Sequence, residues 1–177
     1  MDSGVISTRY ARALYKGAVQ SGCEAAVYRD MQTLIQAYTD VPALRRTIDN
    51  PMLDAVQKES LLTSGCGNDA HELTRRFIKL VLHEGREAVI QLMAMSYVNM
   101  YRKEKNIIHG KLITATTINQ ATEEKVRQMV ENLTDSNVEF RSEVDSEIIG
   151  GFILEYDTYR MDASVQSQLR SILKQLK

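Results

Sequence analysis

Apolar residues recur at three- and four-residue steps through most of the first hundred residues, a spacing typical of amphipathic helices. The first such segment runs from Val5 to about Gly22. Its apolar and small positions are Ile6, Tyr10, Ala13, Leu14, Gly17 and Ala18. Small side chains on this face allow a second helix to approach closely. The face is therefore either part of a core or a groove for a partner helix, and the pattern by itself favours the core.

Further helices are predicted up to residue 105. Asp54 and Asp69 are suitable N-caps for the fourth and fifth helices, and Gly85 suits a left-handed cap at the end of the fifth. The fifth helix is apolar most of the way round, which suits either a central helix or one shared between core and partner. Residues 86–105 are predicted to form one helix roughly 30 Å long.

The period changes after residue 106. Residues 107–118 are rich in Ile and Thr with partial alternation, which is typical of a strand, and a helix is predicted over 123–133. Strands over 138–144 and 151–156 and a final amphipathic helix follow. The chain is thus predicted to be mainly α, with an N-terminal six-helix bundle at 1–105. A small α+β domain of order β-α-β-β-α occupies 106–177.

Charge and cysteine content exclude several classes of protein. The 177 residues carry 22 Lys and Arg against 23 Asp and Glu, and residues 107–177 are acidic. Without a basic stripe, nucleic acid is not an expected partner. The two cysteines stand apart, so a zinc site is not expected and buried free thiols are. No stretch is apolar for long enough to span a membrane, and no signal region precedes the first helix.

Residues 150–169 contain the candidate chemistry. Gly150 and Gly151 are not followed by the Lys and Ser or Thr of a phosphate-binding loop, and they precede a strand. Ser164 lacks a nucleophile elbow, and none of the three histidines forms an obvious base for it. Asp162 and Ser164 are better explained as the N-cap of the last helix. No catalytic, cofactor-binding or metal-binding residue is predicted, which favours an interaction or structural role.

Two motifs together resemble the ATP synthase delta subunit family, whose mitochondrial counterpart is the oligomycin-sensitivity-conferring protein. The first is RYARALYKGA at residues 9–18. The second is IGGF at 149–152 followed by DASVQSQL at 162–169. Their order and spacing cover nearly the whole chain.

The resemblance implies a subunit of the peripheral stalk of an F-type ATP synthase, linking the catalytic head to the membrane-anchored b subunits. The first domain would hold the N-terminal helix of an alpha subunit between its first and fifth helices. The residues implied for this groove are Tyr10, Ala13, Leu14, Gly17, Phe77, Leu80 and Val81. The second domain would meet the b subunits. The residues implied there are Gly150, Gly151, Asp162, Ser164, Val165, Leu169, Ile172 and Leu173.

The resemblance also implies a non-catalytic protein without cofactors. It would lie peripherally on the cytoplasmic face of the bacterial inner membrane and be attached through its complex. Two alternatives remain from the residues themselves. One is a small ligand-binding or catalytic domain, suggested by the Gly-Gly and Asp-x-Ser features; the other is a helical adaptor unrelated to ATP synthase.

Overall fold

The computed structural model describes residues 3–67, 69–134, 137–156 and 159–175. The chain divides into two compact units, Met1–Tyr101 and Arg102–Lys177. The first unit is helical and the second is built on a small mixed sheet, so the predicted fold class is confirmed.

Six α-helices and one short 3-10 helix lie between residues 3 and 104 of the described chain. They are α1 (Ser3–Gln20), α2 (Glu24–Asp40), α3 (Pro42–Ile48), α4 (Ala55–Gly65), α5 (Glu72–His83), the 3-10 helix Glu87–Val89 and α6 (Ile90–Glu104). Their apolar stripes meet in one core. Its fully buried large side chains are Val27, Met31, Leu34, Ile48, Leu62, Ile78, Val81, Ile90, Met93 and Tyr97.

Helix α5 begins later than the sequence pattern predicts. The side chain of His71 accepts the backbone N–H of Leu73 at 3.2 Å, so His71 is the N-cap and Asp69 is not. The reason is a long-range contact: the Asp30 carboxylate on α2 accepts the backbone N–H of His71 at 2.9 Å and the hydroxyl of Thr74. These bonds fix where the helix starts, and local sequence does not reveal them.

The end of α5 follows the prediction. Gly85 has φ +61°, and the N–H groups of Gly85 and Arg86 donate to the carbonyls of Leu82 and Val81 at 3.1 and 2.9 Å. This is a Schellman cap, which needs a residue that tolerates the left-handed region. The single helix predicted over 86–105 is wrong, because a separate 3-10 turn at Glu87–Val89 precedes α6.

The second unit contains a four-stranded sheet flanked by helices. Its elements are β1 (Ile107–Thr114), α7 (Gln120–Thr134), β2 (Asn137–Val144), the 3-10 helix Ser146–Ile148, β3 (Phe152–Tyr156), β4 (Tyr159–Asp162) and α8 (Val165–Gln175). The strand order is β2-β1-β3-β4. Strands β1 and β2 are parallel, while β3 is antiparallel to both β1 and β4. The buried centre of this unit is formed by Leu112, Val130, Val138 and Leu154.

Strand β4 was not predicted. Its segment is polar and rich in tyrosine, and it pairs with β3 on one side only. Met161 is its side chain that packs against the buried centre. A single inward side chain leaves too little alternation for a strand to be recognised from sequence.

Candidate protein-interaction surfaces

A groove of about 230 Å³ runs between α1 and α5, and we call it the α1–α5 groove. It is lined by Tyr10, Ala13, Leu14, Leu73, Arg76, Phe77 and Leu80. Leu14 and Phe77 are almost fully buried and form its floor, whereas Leu80 is 51% exposed and forms part of its wall. Ala13 is exposed but has only a methyl group, so it leaves room for a second backbone to approach.

Helical periodicity explains which predicted residues the structure brings together. Five of the seven, Tyr10, Ala13, Leu14, Phe77 and Leu80, line the groove. Gly17 does not line it, although a Cβ added there would lie 4.0 Å from Leu73 Cδ2. Val81 does not line it either: it is fully buried, because one step beyond Leu80 rotates the side chain about 100° into the core.

Two lining residues, Leu73 and Arg76, were missed. Positions 73, 76, 77 and 80 follow the i, i+3, i+4, i+7 spacing of one helix face. Extending the Phe77–Leu80 pattern by one turn towards the N-terminus would have found both.

A second apolar surface lies on α8. It comprises Val165, Leu169, Ile172 and Leu173, and we call these four residues the α8 face. Their exposed fractions run from 37% at Val165 to 62% at Leu173. Neighbouring apolar side chains exposed on one helix face are a common feature of protein interaction sites. The four residues were predicted as contacts, and the structure leaves all of them accessible.

Gly150 and Gly151 position the start of α8. The Val165 N–H donates to the Gly150 carbonyl at 3.0 Å. Gly151 has φ +74°, and a Cβ added to it would lie 2.2 Å from the carbonyl oxygen of Ala163. No side chain fits at that distance, so Gly151 allows the close approach of two backbone segments.

Asp162 and Ser164 cap α8, as the sequence predicts. Asp162 Oδ1 accepts both the N–H of Ser164, at 3.0 Å, and its hydroxyl, at 2.6 Å, while Oδ2 accepts the Ser167 hydroxyl at 2.7 Å. The bonds from Ser164 and Ser167 lower the pKa of Asp162 to about 2. Ser164 Oγ accepts the Ser167 N–H at 3.2 Å and is fully buried, so its hydroxyl is committed to the cap.

The described residues offer neither a metal site nor a membrane-spanning helix. In that part of the chain, no group of three or more His, Cys, Asp or Glu is arranged to hold a metal ion. Within the same ranges, no helix is both long and apolar enough to cross a membrane. Burial and the nearby Asp30 charge raise the pKa of Cys66 to about 12, so this thiol stays protonated at neutral pH.

A helical unit followed by a small mixed-sheet unit is a fold shared with a chain of the mitochondrial ATP synthase hexamer from Toxoplasma gondii. That solved structure matches with a TM-score of 0.66 and 22% identity, covering 96% of each chain. A model of the family described as ATP synthase delta (OSCP) subunit matches residues 6–176. The chain belongs to this family, and the resemblance found in the two motifs is confirmed.

Bacterial relatives agree with this assignment over nearly their full lengths. A protein of Phocaeicola vulgatus named ATP synthase subunit delta is 41% identical, covering 97% of this chain and 94% of the relative. One of the same name from Bacteroides fragilis is 38% identical, covering 99% and 95%. The chain is therefore a subunit of F-type ATP synthase, a membrane-associated complex, and a component of its peripheral stalk.

Proposed function

We propose that this subunit is a non-catalytic connector between the catalytic head and the b subunits. The α1–α5 groove receives the N-terminal helix of an alpha subunit, and the α8 face meets the b subunits. The observation that carries the proposal is the groove itself. It is a mainly apolar cleft between two helices, open on one side, in a chain of the family that supplies the peripheral stalk.

The groove has the properties that helix-in-groove recognition needs. Ala13 permits close approach, and Leu14 and Phe77 provide an apolar floor. Tyr10 lies on α1 and Leu80 on α5, so the two side chains can contact an incoming apolar side chain from both sides. Each apolar anchor buried there contributes about 1.5–3 kcal/mol before the ordering cost of the partner is subtracted.

A connector acts by resisting torque, which requires well-packed contacts and no reaction centre. Rotation driven by proton flow produces ATP synthesis only while the head is held still against the membrane sector. In keeping with this role, the Ser164 hydroxyl is bound within the α8 cap and the Cys66 thiol is buried. The proposed location is the cytoplasmic face of the bacterial inner membrane, with attachment through the complex and no nucleic-acid partner.

The groove assignment is tested with Tyr10→Asp in the full chain. The probe is a synthetic peptide of the alpha subunit's N-terminal segment from the same organism, and its Kd is measured by fluorescence anisotropy. Burying a carboxylate against the apolar floor of the groove should weaken binding of the peptide by more than roughly tenfold. Val19→Asp places the same charge on the opposite side of α1, at a residue that is 49% exposed, and should leave the Kd unchanged.

Circular dichroism confirms that both variants fold. If folded Tyr10→Asp binds the peptide as tightly as the unaltered chain, the groove is not the alpha-subunit site.

A further inference from the structure

We infer that the α1–α5 groove selects an acidic amphipathic helix, one whose apolar seam is flanked by Asp and Glu. The inference rests on the proposed function of the groove and adds the charge of its occupant. It follows from where the cations of α1 and α5 lie.

The two groove helices concentrate positive charge in a chain that is slightly negative overall. Together α1 and α5 carry six cations and one carboxylate, which is a net charge of +5 with His83 neutral. These charged residues are Arg9, Arg12, Lys16, Arg75, Arg76 and Lys79, with Glu72 as the anion. Since the whole chain carries −1, the rest of it carries −6. The two helices that form the groove are therefore electropositive, while the rest of the chain is on balance acidic.

On α1 two cations, Arg9 and Lys16, lie beside the groove, and we call them the α1 stripe. At about 100° per residue, Arg9 and Lys16 lie about 100° and 120° from Tyr10, on the side of Ala13, whereas Arg12 lies about 160° from Tyr10 and faces away from the groove. The buried positions of α1 lie on the other side of Tyr10. The stripe thus borders the groove towards solvent. Arg9 and Lys16 are exposed, and no carboxylate of the described residues pairs with them.

On α5 a cation lines the groove directly. Arg76 is part of the lining, and its side chain is 72% exposed although it contacts Glu72 at 3.0 Å. Lys79 lies one turn further along and pairs with Glu59 at 3.4 Å. Exposed pairs of this kind are weak, so a carboxylate on an incoming helix can replace the present partner of Arg76 at little cost. Both long edges of the groove therefore favour acidic neighbours.

The apolar floor of the groove favours an acidic helix over other anionic partners. A lipid surface or a nucleic-acid backbone would use the cations but would leave the seam of Leu14, Phe77 and Leu80 unfilled. An amphipathic helix fills the seam and presents side chains from its flanks to both cationic edges. Complementary charge at the edges speeds association and fixes the register of the helix more than it adds affinity.

The test reverses the α1 stripe. Arg9→Glu/Lys16→Glu and a matched control, Arg29→Glu/Arg46→Glu on α2 and α3, change the net charge equally at exposed sites. Both are titrated with the alpha-subunit N-terminal peptide across a range of NaCl concentrations. The stripe variant should bind roughly tenfold more weakly at low salt, and its Kd should vary less with salt. The control should stay within about twofold.

A second peptide has each Asp replaced by Asn and each Glu by Gln. It should bind the unaltered chain more weakly and should not distinguish the stripe variant from the control. The inference is overturned if the natural alpha-subunit segment contains no acidic residues. It is also overturned if the natural peptide and the neutralised peptide bind the unaltered chain equally well. A stripe variant that keeps the peptide but loses binding to phosphatidylglycerol vesicles overturns it too, since the cations would then serve a lipid surface.

The two variants distinguish a wrong groove assignment from a wrong inference about the charge of the helix that binds there. If Tyr10→Asp also leaves the affinity unchanged, the groove assignment itself fails. If Tyr10→Asp weakens binding while the stripe variant does not, the groove stands and the acidic character of its occupant is wrong.

Discussion

At the scale of single residues, Gly151 is the position where the backbone leaves least freedom. Gly151→Ala combines a left-handed φ with a Cβ 2.2 Å from a backbone oxygen, so we expect a loss of about 3 kcal/mol or more in the unfolding free energy of the second unit. Urea unfolding followed by circular dichroism measures it. Gly85→Ala is the matched control, because its φ is +61° and nothing lies within 4 Å of the added Cβ.

The control separates the energetic cost of a left-handed backbone from the cost of steric overlap with a neighbouring backbone. Gly85→Ala should cost about 1 kcal/mol from backbone strain alone. An equal, small cost at both glycines would show that the Ala163 carbonyl can move away.

Asp162 makes the start of α8 sensitive to acid. Its folded pKa of about 2 lies below the unfolded value of 3.8, so its contribution to stability is present above pH 3.8 and is lost as the pH falls towards 2. We expect thermal unfolding of the second unit to occur at a lower temperature at pH 2 than at pH 5. Asp162→Asn should reduce that difference.

Glu147→Gln removes an exposed carboxylate from the same unit and should leave the pH dependence unchanged. If Asp162→Asn shows the full acid sensitivity of the unaltered chain, the cap is not its source.

At the scale of elements, an ion pair joins α4 to the turn before α6. Lys58 Nζ lies 2.8 Å from Glu87 Oε1, and both side chains are largely buried. Burial alone would raise the pKa of Glu87, but the hydrogen bond and charge of Lys58 hold that pKa below its usual value. Lys58→Met should therefore cost roughly 2–4 kcal/mol, since it leaves a carboxylate without its partner.

A double-mutant cycle in urea tests this coupling. Lys58→Met/Glu87→Leu should cost less than Lys58→Met alone, because the double change removes both charges. Strictly additive costs would mean that the two residues do not stabilise one another.

The elements also show what sequence could and could not predict. The six helices of the first unit, α7, α8 and three of the four strands follow from periods of 3.6 and 2, which depend on nearby residues. The start of α5 at His71 depends on Asp30, 41 positions earlier, and Glu87 in the turn before α6 pairs with Lys58, 29 positions earlier. Such contacts between distant positions cannot be derived from local spacing.

In the candidate site too, some positions could be predicted from local sequence and others could not. Tyr10 and Leu80 lie on helix faces that periodicity identifies, so their place beside the groove was predictable. Val81 belongs to the core because α5 packs against α2 and α4, and the sequence of α5 alone does not specify which of its apolar residues face those helices. Gly151 was predicted as a contact residue, yet its conformation is explained by the close approach of Ala163.

At the scale of the whole molecule, the α8 face should matter in the complex and not in the isolated chain. Leu169→Asp/Ile172→Asp alters residues that are 47% and 53% exposed, so the stability of the free chain should change by less than about 0.5 kcal/mol per site. Binding to the soluble part of the b subunits should weaken by roughly tenfold or more. Membranes containing the variant should lose ATP-driven proton pumping while the head still hydrolyses ATP.

Ser171→Asp is the matched control. It adds a carboxylate to the same helix, about 120° from Val165, at an exposed position outside the α8 face. Unchanged pumping in the double variant would assign the b-subunit contact to another surface.

The mixed sheet has a consequence for the order in which the protein folds. Strand β1 can pair only after distant segments have been synthesised, since Ile107 pairs with Asn137 and Gly110 with Tyr156. The helices of the first unit precede the sheet in the chain, so they leave the ribosome earlier. We therefore expect the α1–α5 groove to be complete while the sheet is still being synthesised, so that a nascent chain is already able to bind a helix there.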